Sequence, residues 1–250
     1  MKYFLIFITM FLFASAAWSE ALTARDILEK VDEVESYENF TSEMTQVITT
    51  SDGNKRTLEI KGWAIGTGDR QLSEYTYPKR VQGVKILMLN DGDDIWSFSP
   101  RTRRVRHLAS HAKKQKVMGS DFTYEDLGGG KMSEKYQGTV KGEEMVDGVS
   151  CYVLDLKPTP KGPSYDRIVG WVGKDDFSAR RVDFYQDGGK KPFKTLIMKD
   201  IRRVDGHLVA MEMTMKNNED GGVTHNKMNK ADFHTQIPDT AFNPDTLDRK

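Results

Sequence analysis

Apolar and polar positions follow two different periods along this chain. Near the start, Ala24, Ile27, Leu28, Val31 and Val34 recur at helical spacing, with Arg25, Asp26, Glu29, Lys30, Asp32 and Glu33 on the opposite side. That pattern predicts an amphipathic helix that needs an apolar surface to lie on. Thr23 and Asp26 have the spacing of a capping box, in which each satisfies a free backbone donor of the first turn.

From Thr41 onward the period changes to two. Asp-Gly occurs at 52–53, 91–92, 147–148, 187–188, 205–206 and 220–221, and Asp-Gly between alternating runs is a strong hairpin signal. The runs predict strands over about 40–50, 55–66, 70–77, 83–90, 93–99 and 103–108, and after a break over about 132–145, 149–157, 166–173, 179–186, 193–204, 207–217 and 222–234. Successive hairpins give an antiparallel meander. With no Gly/Ser linker in the chain, one continuous, strongly curved sheet is the simplest architecture. The break between Ala109 and Lys131 reads as short helical pieces. One covers 110–116, and a second is capped by Ser120 or Asp121 and ended by Gly128, Gly129 and Gly130.

Alternation also marks candidate walls. Met211, Met213 and Met215 share one face of a strand, as do Val84, Ile86 and Met88, while Trp63, Trp96, Phe98, Trp171, Phe184 and Tyr185 add large rings. Such alternation ordinarily means core. A curved sheet covered by a few short helices, however, has more concave apolar surface than they can fill, and leftover concave apolar surface is a ligand site by default. Methionine suits such a wall because it adapts to varied apolar partners.

Composition narrows the classes. The chain has 250 residues, with 37 basic and 37 acidic side chains and no formal net charge, which excludes a general nucleic-acid binder. The single cysteine, Cys151, excludes an internal disulfide framework and reads as a small buried apolar residue. Lys2, the apolar run Tyr3–Phe13 and the small residues Ala14–Ala17 have the layout of a secretory signal, with cleavage after Ala16 or Ser19. The run is short for a bilayer span. Residues 20–250 are then a single exported domain, suited to a periplasm.

No catalytic constellation emerges. His107 and His111 are spaced i, i+4 but lack the glutamate of a zinc helix, the serines lack a nucleophile elbow, and Gly128–Gly130 is not followed by the lysine of a phosphate loop. Asp93–Asp94 and Asp175–Asp176 fall at predicted turns, where Asp is common for backbone reasons. No cofactor or metal is expected, and a hydrolase is disfavoured. One charged block stands out: Arg101, Arg103, Arg104, Arg106, Lys113, Lys114 and Lys116 run without an acid, and Lys79 and Arg80 extend it. It reads either as a charge-protected strand edge or as a docking face for an acidic partner or for phosphate headgroups.

The stretch W-S-F-S-P-R-T-R-R-V-R-H-L (96–108), the block M-G-S-D-F-T-Y-E-D-L (118–127), the opening helix L-T-A-R-D-I-L-E-K-V (22–31) and the strand N-F-T-S-E-M-T-Q (39–46) together resemble the LolA-like outer-membrane lipoprotein-sorting family. The resemblance spans nearly the whole mature chain. It implies an α+β fold, mainly β: an open antiparallel half-barrel with an N-terminal helix and short lid helices on its concave side. It implies a periplasmic, non-enzymatic carrier of acylated lipoproteins or lipids, working with an inner-membrane transporter of the RND/MMPL type and touching membrane surfaces transiently. On this reading Trp63, Met88, Trp96, Met211, Met213 and Met215 are the cavity wall, Phe122, Tyr124 and Leu127 belong to the lid, and Arg103, Arg104 and Arg106 dock a partner. A sensor using the same cavity to signal to a membrane protein is the alternative.

Overall fold

The computed structural model describes residues 21–249; the expected signal segment lies outside them. Helix α1 (Ala24–Val34) forms where the period-3.6 pattern predicts it, and its capping box is complete: the Asp26 N–H donates to Thr23 Oγ1 at 3.2 Å and the Thr23 N–H to Asp26 Oδ2 at 2.8 Å. Its apolar stripe, Ala24, Ile27, Leu28 and Val31, is buried.

The thirteen strands all fall within two or three residues of their predicted limits except at the start of the seventh. They are β1 (Asn39–Thr49), β2 (Lys55–Ile65), β3 (Arg70–Tyr77), β4 (Val84–Leu89), β5 (Asp94–Ser99), β6 (Arg104–Leu108), β7 (Tyr136–Val146), β8 (Val149–Pro158), β9 (Arg167–Gly173), β10 (Ala179–Tyr185), β11 (Lys194–Val204), β12 (His207–Asn217) and β13 (Val223–Asp232). Strand β7 starts at Tyr136 rather than 132 because Met132–Lys135 form one helical turn, α3, whose Met132 and Ser133 N–H groups are capped by the Asp32 carboxylate of α1 at 2.6 and 3.1 Å.

All strands pair antiparallel in one sheet of order β6-β5-β4-β3-β2-β1-β13-β12-β11-β10-β9-β8-β7. Consecutive strands pair throughout except β6 with β7, and the one long-range pairing, β1 with β13, joins the six-strand meander β1–β6 to the seven-strand meander β7–β13. The sheet does not close: β6 and β7 are free edges, and the result is an open, curved half-barrel.

Period two divides the side chains between two faces. The inner face carries two clusters. One joins Leu154, Leu156, Ile168, Val172, Phe184 and Met215 to the apolar stripe of α1 and to Phe122. The other joins Ile48, Leu58, Ile60, Tyr75, Ile86, Met88 and Ile95 to Val117, Met118, Tyr124 and Leu127 of the 109–131 segment. The outer face is also covered: Ile65, Leu87 and Phe98 pack with Phe242 and Leu247 of the C-terminal segment, and Cys151 is buried there with Val153 and Trp171. Among the described residues no helix is long and apolar enough to cross a membrane.

Candidate lipid-binding site

The segment between β6 and β7 crosses the inner face as a lid. It contains a 3₁₀ turn at Ser110–Lys114, another at Val117–Gly119, and α2 (Tyr124–Leu127). The cap of α2 is Thr123, with Asp126 as its reciprocal partner, rather than Ser120 or Asp121. Ser120 and Asp121 serve other bonds. Ser120 Oγ donates to the Val117 carbonyl at 2.8 Å, and the Asp121 carboxylate accepts from Thr224 of β13 at 2.8 Å.

Three strands tie this lid down. From β2, Arg56 donates to the Met118 carbonyl. Next to β13, Lys116 bridges Asp121 at 2.9 Å and Asp220 at 3.1 Å. From β11, Lys194 donates to Asp126 of α2 at 2.5 Å and to the Tyr165 hydroxyl at 2.7 Å. Burial pushes the Lys194 ammonium below the usual lysine range, against the opposing pull of Asp126. The Tyr165 hydroxyl is held well above the ordinary tyrosine range by burial and by the Asp126 charge.

The lid ends at Gly128–Gly130, which pass directly over two turns of the sheet. A Cβ on Gly129 would overlap the Gly68 carbonyl, and one on Gly128 would lie 2.8 Å from the Asp91 carbonyl oxygen. The triple glycine is therefore a close-approach motif as well as a helix stop.

Between the lid, α3 and the 159–166 connection lies a recess of about 920 Å³, within the size range of small-molecule sites. Its floor is apolar, made by Ile168, Val182, Phe184, Leu196 and Met215 of four successive strands with Tyr136 and Met132 beside them. Charged side chains of both signs also line it, among them Lys114, Lys131 and Lys161 with Asp91, Asp93 and Glu134, and Lys161 pairs with Glu134 at 2.9 Å. Methionine crowds the same face. Met198 stands opposite Met213, and Met44 opposite Met228. Met211, Met213 and Met215 share a face by alternation, and the first two keep contact with solvent while Met215 is fully buried. Met145, paired with Ser150 at the tip of the β7–β8 hairpin, is the methionine most open to solvent among residues 21–249.

The structure therefore gathers Met88, Phe122, Tyr124, Leu127, Met211, Met213 and Met215 on the inner side. Trp63 and Trp96 are a correction. Both lie on the outer face with Leu72, Leu89 and Val105, under the C-terminal segment, and Trp96 stacks on His107 at 4.4 Å. Trp63 is one residue out of phase with Ile60 and Ala64, so period two sends it to the other face. Of the recess residues on β9–β11 sequence reasoning marks only Phe184; it missed Ile168, Val182, Leu196 and the buried Lys194. The signal was there, since Lys194 is in phase with Leu196 and Met198.

Solved structures share this architecture. A domain assigned to outer-membrane lipoprotein sorting from Vibrio parahaemolyticus superposes with a TM-score of 0.83 at 26% identity, covering 90% of this chain and 98% of its own. A DUF1329 family protein from Desulfovibrio piger gives 0.82 at 26% identity, covering 89% and 97%. A LolA superfamily protein from Nitrosomonas europaea shares the fold at a TM-score of 0.74 and 22% identity, covering 90% and 99%. A family model described as "-like: Uncharacterized protein" matches residues 67–249. The chain belongs to the family of that model, and it has the fold of these lipoprotein-sorting and LolA superfamily structures. No curated protein matches it.

Within this LolA-like fold the docking candidates sit at a free edge. Arg104 and Arg106 belong to β6 and Arg103 to the turn before it, and all three are exposed. His107 lies 3.4 Å from Asp94, and Lys113 pairs with Asp93 at 2.6 Å; Asp93 and Asp94 follow the 3₁₀ turn that opens β5, as their turn signal predicts.

Proposed function

We propose that this LolA-like protein is a periplasmic carrier that shelters the acyl chains of lipoproteins or lipids between the inner and outer membranes. The observation that carries the reading is the 920 Å³ recess beside the lid, lined by apolar side chains of the inner face together with charged residues of both signs. Exposing a chain of about 16 carbons to water costs on the order of 13 kcal/mol at ~0.8 kcal/mol per methylene. Unaided desorption is therefore very slow, and a soluble apolar site lowers the barrier. Met215 lines the recess, Met211 and Met213 extend its wall along the same face of β12, and Met88 lies beneath the lid residues Phe122, Tyr124 and Leu127. Thioethers favour loose, adaptable contacts, so cargo can leave again. The half-exposed state of Met211 and Met213 supports a wall with room beside it.

No covalent step is needed, and the side chains named act by exclusion of water alone. Arg103, Arg104 and Arg106 dock the carrier, and an RND/MMPL-type transporter is the inner-membrane partner that the resemblance implies. Native mass spectrometry of protein purified from its own periplasm tests the reading. An acylated species of defined mass is expected on the intact protein. Protein that emerges free of lipid, and that takes up none from acylated lipoprotein in detergent, refutes it.

A further inference from the structure

We propose that the end of the sheet formed by the 78–83 and 100–103 turns is a membrane-docking face that recognises anionic phospholipid headgroups. The two turns join β3 to β4 and β5 to β6, so both lie at one end of neighbouring strands. They touch: a Cβ on Gly83 would sit 3.6 Å from the Pro100 ring. They bring together Lys79, Arg80, Arg101 and Arg103, continued by Arg104 and Arg106 along the free edge of β6, and all six are exposed.

None of these six cations takes part in an ion pair among the described residues. Two of the carboxylates at this end of the central strands are already engaged, and Glu219 beside them stays exposed. Asp52 accepts from Thr50 and Asn54 within its own turn, and Asp220 accepts from Lys116 and the Gly222 N–H. Glu59, opposite Tyr77 in register, is the carboxylate that borders the patch. Charge protects an exposed edge strand from unwanted pairing, but Lys79, Arg80, Arg101 and Arg103 lie in the turns, off the edge strand β6. Edge protection does not account for these four.

A second observation separates a bilayer from a merely acidic partner. Tyr77, at the end of β3 beside Lys79 and Arg80, is 51% exposed, and it and Met145 are the large apolar side chains most open to solvent among the described residues. An exposed tyrosine amid lysine and arginine is the arrangement of a membrane-water interface, where the ring sits at headgroup level and the cations meet phosphates. The face also adjoins the lid: Val81 of the same turn packs on the cluster that holds Val117, Met118 and Tyr124. Docking there brings the Val117–Met118 turn of the lid to the lipid surface, while the recess residues Asp91 and Asp93 lie at the other end of these strands.

This inference builds on the carrier reading, and the two fail separately. The test is co-sedimentation of the full protein with vesicles of phosphatidylcholine alone or mixed with phosphatidylglycerol. Binding only to the phosphatidylglycerol vesicles is expected, and raised salt should abolish it. Each cation contributes about fivefold, so the variant Lys79→Gln/Arg80→Gln/Arg101→Gln/Arg103→Gln should lose binding more than a hundredfold. A control variant, Lys227→Gln/Lys230→Gln on β13, should bind as the parent does. Tyr77→Ser should weaken binding at high lipid without changing its salt dependence. Equal binding to both vesicle types overturns the proposal, as does unchanged binding of the quadruple variant. So does capture of an acidic membrane protein by the patch with no affinity for vesicles. Circular dichroism checks the fold of each variant, and bound lipid measured by mass spectrometry reports on the carrier reading independently.

Discussion

Lys194 of β11 and Asp126 of α2 meet at 2.5 Å with both side chains almost wholly buried. The Tyr165 hydroxyl completes the group, donating to Asp126 at 2.6 Å and accepting from Lys194 at 2.7 Å. The rings of Tyr165, Phe184 and Phe193 surround the ammonium at 4.7 to 5.5 Å. A charge pair so placed fastens the lid to the apolar floor of the recess. Removing one partner leaves the other charge buried alone, which costs about 3–5 kcal/mol, whereas replacing both with apolar groups is often close to neutral. Lys194→Met should therefore destabilise by about that amount in urea denaturation, and Lys194→Met/Asp126→Leu should recover most of it. A loss below about 1 kcal/mol in the single variant, the range of an exposed pair, would show that solvent reaches the pair.

The triple glycine makes a steric prediction. Gly129→Ala places a methyl group into the Gly68 carbonyl, and backbone meets backbone there, so neither side can yield by a rotamer change. Overpacking of this kind costs about 1–3 kcal/mol. The strain falls at the C-terminal end of the lid, so hydrogen exchange of residues 117–131 should quicken more than that of β11 and β12. Gly53→Ala is the comparison: its Cβ meets nothing, and only its positive φ of 83° opposes the change.

Much of the fold is legible in the sequence because its signals are local. Asp-Gly turns set the hairpins, as at Asp147–Gly148 and Asp205–Gly206, where both turn residues have positive φ. Thr23 and Asp26 place the first helix correctly for the same reason. The candidate site is less legible because alternation says that residues share a face, not which face is concave. Leu58 and Trp63 are equally apolar, yet only the structure shows that the C-terminal segment around Phe242 and Leu247 covers the outer side. That segment has no periodic signal of its own. Buried charge is harder to read: phase with Leu196 and Met198 puts Lys194 on the inner face, but its partner Asp126, 68 positions earlier, is identified only by the fold.

Acid should loosen the lid at a second point. Asp220 is held below the usual carboxylate range by the Gly222 N–H and by Lys116, which together outweigh partial burial. A carboxylate with a depressed folded-state pKa contributes stability that is present above its unfolded value, near 3.8, and is lost as pH falls through the folded value. The Lys116 bridge to Asp220 should therefore weaken only below about pH 4. Thermal unfolding of the parent should drop between pH 5 and pH 3 by more than that of Asp220→Asn, and the two should converge at the lowest pH. Parallel curves for the two proteins would remove Asp220 from the account.

The methionine row offers the most direct test of the inner face. Met213 stands between Met198 of β11 and Asn226 of β13 and is only half-buried, so a polar replacement there can hydrate without unfolding the sheet. Met215 differs, being fully buried in the cluster that joins the inner face to α1. Met213→Glu should leave the circular dichroism spectrum and melting temperature nearly unchanged while abolishing lipid co-purification. A carboxylate on the wall must either stay hydrated, which excludes the hydrocarbon, or be buried uncompensated at a cost of several kcal/mol. Met213→Leu keeps the wall apolar at similar volume and should retain lipid. Met145→Glu, on the exposed edge strand β7, should change neither property. Full lipid content in Met213→Glu would mean that the acyl chains lie elsewhere than along this row.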